Sequence, residues 1–234
     1  MNPKVIHFSS LPGTHKEGKK IAKKLGVEPW LDNDALEGKL KTRQSPHILH
    51  IATHGYFLEN SKFDPNQIQF GVADSYNRLS FGLENPLLRS GLALAGANTW
   101  LERKPLPLEA EDAMFNAEDV SGLDLLGTEL VVLSACNTGI GEVRRGEGVF
   151  GLRRAFVLAG ARTLVMSLWK VPDEQTQQLM EFFYDHILDG ESRAESLRKA
   201  QLAMKKKYPD PLYWGAFICQ GDPSPLQKKK FDHV

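Results

Sequence analysis

Apolar and polar positions alternate along the chain in blocks that read as short buried strands separated by helices. The clearest block is ELVVLSACNTGIGEVRRGEGVFGLRRAFVLAGARTLVMSLWKVPDEQT, Glu129 to Thr176. Residues 130–135 form an apolar run with two valines, and Asn137, Thr138 and Gly139 follow as turn formers, so Cys136 falls where a buried strand meets its loop. A helix from about Val149 to Ala159 is apolar on most sides apart from Arg153 and Arg154, the pattern of a helix packed on a sheet. Arg162 to Leu168 read as the next strand, and Trp169 to Pro172 turn into a helix that Asp173 is placed to cap. Leu179, Met180, Phe182 and Phe183 give that helix its buried side, and Gly190 ends it. A further helix from about Arg193 to Lys206 precedes a last strand, Trp214 to Cys219.

The N-terminal half repeats the alternation. Val5 to Phe8 predict a strand closed by Ser9 to Gly13, after which Thr14 caps a helix reaching about Leu25. Ile21, Ala22 and Leu25 mark its inner face, and five lysines between Lys16 and Lys24 mark a wet one. Gly26 stops it, VEPWL suggests a brief strand, and Asp32, Asn33 or Asp34 caps a helix through Leu40. The apolar strand Ile48 to Ala52 then ends in Thr53, His54 and Gly55, giving β-α-β-α-β order. From Phe57 to Leu88 the pattern dissolves into a long polar segment, a length that in a compact domain belongs to a functional or partner-ordered loop. Leu92 to Ala95 read as extended, and Asn116 to Val120 as one helical turn. Open α/β sheets carry their chemistry at strand ends. Here two strand ends offer a thiol and an imidazole.

Composition narrows the picture. At 234 residues and 41% hydrophobic, the chain suits one core and one domain over 1–225, with a basic, frayed tail at 226–234. No apolar run reaches membrane-spanning length and no signal-peptide layout opens the chain, so a soluble cytoplasmic protein with no membrane partner is expected. Two cysteines, Cys136 and Cys219, are too few for a disulfide framework, and no Cys-x-x-Cys or His-x-x-x-His pair suggests a metal. No cofactor is expected, and a thiol in a reducing compartment is free to react. Lys plus Arg and Asp plus Glu balance at 29 each, which removes any global attraction to nucleic acid. Residues 105–130 nevertheless hold seven acids and no Lys or Arg, while Arg144, Arg145, Arg153, Arg154 and Arg162 follow the cysteine. With no aromatics interleaved, the arginines read as a solvated face complementing the acids.

The chemistry rests on Cys136 with His54. A cysteine beside a core strand is commonly an inert small hydrophobe, and His47 and His50 read as structural. The pairing points further: a thiolate nucleophile needs an imidazole close by, and a tetrahedral intermediate needs backbone N–H donors aimed at its oxygen. Gly55, with no side chain in the way, and Cys136 itself are the candidate donors. A dinucleotide reading also exists, since GEGVFG, Gly146 to Gly151, is a Gly-x-Gly-x-x-Gly with Asp173 further on. That fingerprint should open from a strand end, whereas ten residues separate Ala135 from Gly146.

HIATHGYF, NPLLRSGLALAGAN, the block from Glu129 to Thr176 and the closing PLYWGAFICQG together resemble the CHAT domain, the caspase-like cysteine peptidase domain often attached to tetratricopeptide repeats. LPGTHKEGKKIA is similar to that family's first loop and helix. The resemblance spans nearly the whole chain and extends to separases, legumains and gingipains. It implies a three-layer α/β sandwich, mostly parallel in its sheet with helices on both faces. It also implies His54 as general base and acid, Cys136 as nucleophile, Gly55 and Cys136 as oxyanion donors, and a protein or peptide substrate. Many relatives carry Glu after the cysteine, where this chain has Asn137. SLWKVPDEQT is similar to the Trp-x-Val-x-Asp stretch of separases, which implies that Asp173, with Trp169, faces an Arg or Lys before the scissile bond; the other reading leaves Asp173 as a helix N-cap. A catalytically silent scaffold of the same fold that binds partners is the alternative to a peptidase, and an activating or inhibitory partner protein is expected in either case.

Overall fold

A computed structural model of the chain describes residues 6–57, 86–137 and 147–227. The longest strand, β1 (Ile48–Phe57), alternates its side chains between two apolar interiors, and the fold is built around it. Its neighbours are β2 (Ser90–Ala93), β3 (Met114–Asn116), β4 (Leu130–Asn137), β5 (Thr163–Ser167) and β6 (Phe217–Gly221), in the order β3-β2-β1-β4-β5-β6. The β1–β4 and β4–β5 pairs are parallel and the other three pairings antiparallel, so β1, β3, β4 and β5 run one way and β2 and β6 the other. The sheet is therefore mixed, mostly parallel in strand direction, with the parallel strands β1, β4 and β5 at its centre.

Helices cover both faces. On one, α1 (Pro12–Leu25), α6 (Asp173–Leu188) and α7 (Arg193–Lys207) bury Ile21, Leu179, Met180, Phe183, Leu197 and Met204 against Leu130, Val132, Val165 and Phe217. On the other, α2 (Glu37–Lys41), α4 (Ala117–Ser121) and α5 (Glu147–Leu158) bring Leu40, Val120, Leu152 and Phe156 onto Ile51, Val131, Leu133 and Leu164. A short α3 (Ala97–Leu101) lies at the β2 edge. The helix ends follow from sequence. Pro12 starts α1 with its fixed φ, and Gly26 at φ 67° closes it, its N–H reaching the Ala22 and Lys23 carbonyls. Asn116 and Asp119 form a capping box on α4, and the Ser192 hydroxyl caps α7.

Several expectations are corrected. Ile6 to Phe8 form no strand, Val5 lying outside the described residues. The Phe8 N–H donates to Asn98 Oδ1 at 2.9 Å and its carbonyl accepts from Asn98 Nδ2 at 2.8 Å, so one carboxamide replaces a neighbouring strand. VEPWL is irregular as well, with the Arg43 guanidinium 4.7 Å above the Trp30 ring. The opening β-α-β-α-β order is thus absent. β1 runs five residues beyond Ala52 because β2 pairs with it from His54↔Ala93 to Phe57↔Ser90. The last strand begins at Phe217 rather than Trp214, since the N–H groups of Trp214 and Gly215 turn back onto the Pro211 carbonyl. Phe182 is 39% exposed, and Tyr184 takes the inner position, its hydroxyl 3.0 Å from His50 Nδ1. Most of the polar segment, 58–85, the loop 138–146 and the tail from 228 lie outside the described residues.

The acidic stretch and the arginine cluster meet at Glu129, which pairs with Arg162 at 2.9 Å and with the fully buried Arg193. A second charged cluster ties α2 to α4. The Lys41 ammonium lies 2.7 Å from Glu37, 2.6 Å from Glu111 and 3.1 Å from Asp119. Burial lowers the proton affinity of Lys41, but its hydrogen bonds to Glu111, Glu37 and Asp119 outweigh that and raise it. Glu37, 2% exposed, is pushed up to about 7 by burial despite the lowering pull of Lys41. Burial also raises Asp112 beside it.

A carboxyl held above its unfolded value binds its proton more tightly in the native state. The associated stability is present below about pH 4.5 and is lost as pH rises through about 7. Glu37→Gln removes this loss. Thermal melts should show the wild-type melting temperature falling relative to E37Q by about 5 °C between pH 5 and pH 8. Parallel pH profiles for the two proteins would contradict the assignment.

Candidate active site

Two parallel strands bring the predicted pair together. β1 and β4 pair without interruption from Ile48↔Leu130 to Gly55↔Asn137, and within that ladder His54 is the partner of Cys136. Registered residues on neighbouring strands are about 4.8 Å apart and share a face of the sheet. Leu130 and Val132 on β4 enter the core beneath α1 and α6, so positions 134 and 136 fall on that same face, at the strands' C-terminal end. β5 ends level with them: the Ser167 hydroxyl donates to the Ala135 carbonyl at 3.0 Å.

The imidazole is held by main chain. His54 Nε2 lies 2.6 Å from the Ser9 carbonyl oxygen. A carbonyl can only accept, so Nε2 carries the proton and a neutral ring keeps its lone pair on Nδ1. The Phe8 ring packs beside the imidazole, centroids 5.6 Å apart with a 36° tilt. Residue 8 is itself clamped by Asn98 on α3, so a segment with no place in the sheet sets the direction of His54. Sequence reasoning found no partner for His54, and a backbone carbonyl carries no residue signature. The only trace was the run of turn formers Ser9 to Gly13.

His50, two residues earlier on the same face than Ala52 and four earlier than His54, belongs to the interior. Its Nε2 meets Glu17 at 2.9 Å and its Nδ1 meets the buried Tyr184 hydroxyl. Glu17, fully buried on α1, was hidden among lysines.

Gly55 lies inside β1, level with Leu92 on β2 and Asn137 on β4, rather than beyond the strand end. Asp173 is the first residue of α6 and does not cap that helix; Pro172 holds the cap position with no side-chain bond. Its carboxylate instead receives α1, accepting from Gly13 N–H at 2.5 Å, Thr14 N–H at 2.9 Å and the Thr14 hydroxyl at 2.9 Å. Trp169 is 40% exposed two residues past β5 and flanks Gly215. Cys219, on β6, packs against the second core, and burial pushes its thiol up. Gly148 and Gly151 of the glycine fingerprint lie within α5, not in a turn leaving a strand. Among the described residues no group of three or more His, Cys, Asp or Glu could hold a metal ion, and no helix is long and apolar enough to cross a membrane.

Tetratricopeptide repeat protein 28 of Mus musculus is 27% identical over 219 residues, covering 92% of this chain and 9% of that protein. The Homo sapiens protein of the same name is 25% identical over 217 residues, covering 92% and 8%. The chain thus spans under a tenth of the curated relatives it matches. Among solved structures, the Arg-specific cysteine proteinase gingipain R aligns over 50% of this chain and 30% of its own, at 16% identity and a TM-score of 0.37. The model of the CHAT domain family matches residues 2–222. With that match over nearly the full length, and with a mixed sheet layered between helices, the chain belongs to the CHAT domain family.

Proposed function

We propose that this domain is a cysteine endopeptidase working through a His54–Cys136 dyad. The observation that carries the reading is the register of β1 on β4, which sets the imidazole-bearing residue beside the thiol-bearing one, with His54 turned by Ser9 so that Nδ1 is the basic nitrogen. His54 Nδ1 takes the Cys136 proton, and the sulfur bonds to the substrate carbonyl carbon. The oxyanion is received by main-chain N–H, for which that of Cys136, at the C-terminal end of β4, is the candidate donor. On collapse the C–N bond breaks and His54 returns the proton to the leaving amine. Water, deprotonated by His54, then cleaves the thioester and restores the thiol.

An extended peptide across the strand ends is the substrate. A Lys or Arg before the scissile bond would approach Asp173 beside the exposed Trp169, its cation sharing a carboxylate that also accepts from Gly13 and Thr14. Control by a repeat region or a separate partner protein completes the proposal. It is supported by the tetratricopeptide repeat named in the relatives and by the small share of them that this chain spans.

Incubation with a peptide acyloxymethyl ketone ending in Arg or Lys, read by intact mass, should give one adduct on Cys136 and none on Cys219, whose partly buried thiol resists ionisation. Cys136→Ala should abolish the adduct while melting as the wild type does, and His54→Ala should slow labelling by about 10²- to 10⁴-fold. An adduct that persists in Cys136→Ala would overturn the reading. In a series with Arg, Lys, Asp and Met at the position before the cleaved bond, the basic residues should be preferred; a preference for Asp would remove Asp173 from the substrate.

A further inference from the structure

We propose that Asp173 is a positioning residue for His54, acting through the first turn of α1. The inference rests on the dyad reading for its consequence in catalysis, though not for its geometry.

The first turn of a helix leaves backbone N–H groups without intrahelical partners. At the start of α1 the cap position is Leu11, which has no side-chain oxygen to offer. The acceptor arrives from 160 residues away: Asp173 takes Gly13 N–H on Oδ2, and Thr14 N–H together with the Thr14 hydroxyl on Oδ1. A negative charge at this end of a helix is favourably placed against its dipole. The approach requires glycine at position 13, because a Cβ there would lie 2.6 Å from the Asp173 carboxylate carbon.

Four residues before Gly13, the Ser9 carbonyl receives the His54 Nε2 proton. One residue before that, the Phe8 backbone is clamped by Asn98. Ser9 and Ser10 are exposed, and no strand pairs with them. The carbonyl that turns His54 is therefore fixed by its two anchors, Asn98 upstream and Asp173 downstream, which bracket a segment about 14 Å long at full extension. Further along, α1 is tied to α6 by Ile21 in the shared core and by the Lys20–Glu181 and Lys24–Asp185 pairs. Losing the Asp173 carboxylate thus frees the first turn and the Ser9 carbonyl while the rest of α1 stays docked.

The test uses the intact chain with ¹⁵N-labelled histidine, His54→Gln assigning the resonance. In the wild type the His54 ring should be in the Nε2–H tautomer. In Asp173→Asn it should move to a tautomer mixture, with alkylation of Cys136 by iodoacetamide slowed by about 10-fold. Gly13→Ala, which displaces the carboxylate without altering its charge, should give the same His54 change. Ser192→Ala removes the hydroxyl cap of α7, a comparable loss of helix stability, and should leave the His54 spectrum as it was. Leu11→Asp combined with Asp173→Asn supplies a local cap and should restore the tautomer and the alkylation rate. An unchanged His54 spectrum in both Asp173→Asn and Gly13→Ala, or an equal change in Ser192→Ala, would overturn the proposal. A His54 shift in a protein whose Cys136 never reacts with peptide ketones would instead sink the peptidase reading and leave the positioning role standing.

Discussion

The parallel pairing of β1 with β4 is the constraint on which the rest of the molecule depends. Because side chains alternate along a strand, a slip of one residue would set His54 against Ala135 or Asn137 and move the whole apolar set of one strand to the wrong core. Ile51, Val131 and Leu133 belong to one interior and Leu130 and Val132 to the other. The register is thus enforced by burial on both faces, and the pairing of position 54 with position 136 is a by-product of core packing. Residues 82 positions apart in sequence thus share one ladder position, as the proposed dyad requires.

Direction is supplied separately from proximity. The sheet brings position 54 beside position 136, but a segment outside the sheet aims the ring. Ser9 offers a carbonyl, Phe8 packs beside the imidazole, Asn98 substitutes for a missing strand, and Asp173 caps the start of α1 with a carboxylate from α6. The elements with the most buried apolar surface fix where the groups are, and polar contacts at or near the surface fix how they are turned. Such contacts are individually weak.

Sequence patterning exposed the first layer well and the second hardly at all. The valines and leucines of 130–135, the turn formers after Cys136 and the apolar face of α5 lead directly to β4 and its helix, and the same logic finds β5, α6 and α7. Reading β1 as ending at Ala52 fell short because its last residues, Thr53 to Phe57, owe their strand conformation to β2, a partner far along the chain. The N-terminal strand failed for the converse reason: Ile6 to Phe8 have strand-like residues, but the asparagine on α3 already occupies the hydrogen bonds of Phe8. Asp173 looked like a cap and is one, though for a helix whose Gly13 lies 160 residues earlier. Single-sequence periodicity describes which residues are buried; it holds no record of which distant acceptor a helix start will find.

Interaction between the His54 imidazole and the Cys136 thiol is tested most directly by the pH dependence of Cys136 alkylation in the wild type and in His54→Gln. With the imidazole beside it, the thiolate should be present well below the ordinary thiol range, so the wild-type rate should stay high at pH values of about 6 to 7. In His54→Gln the rate should rise only toward a pKa of about 8.5. Superimposable profiles would mean that the two residues share a ladder position without sharing a proton.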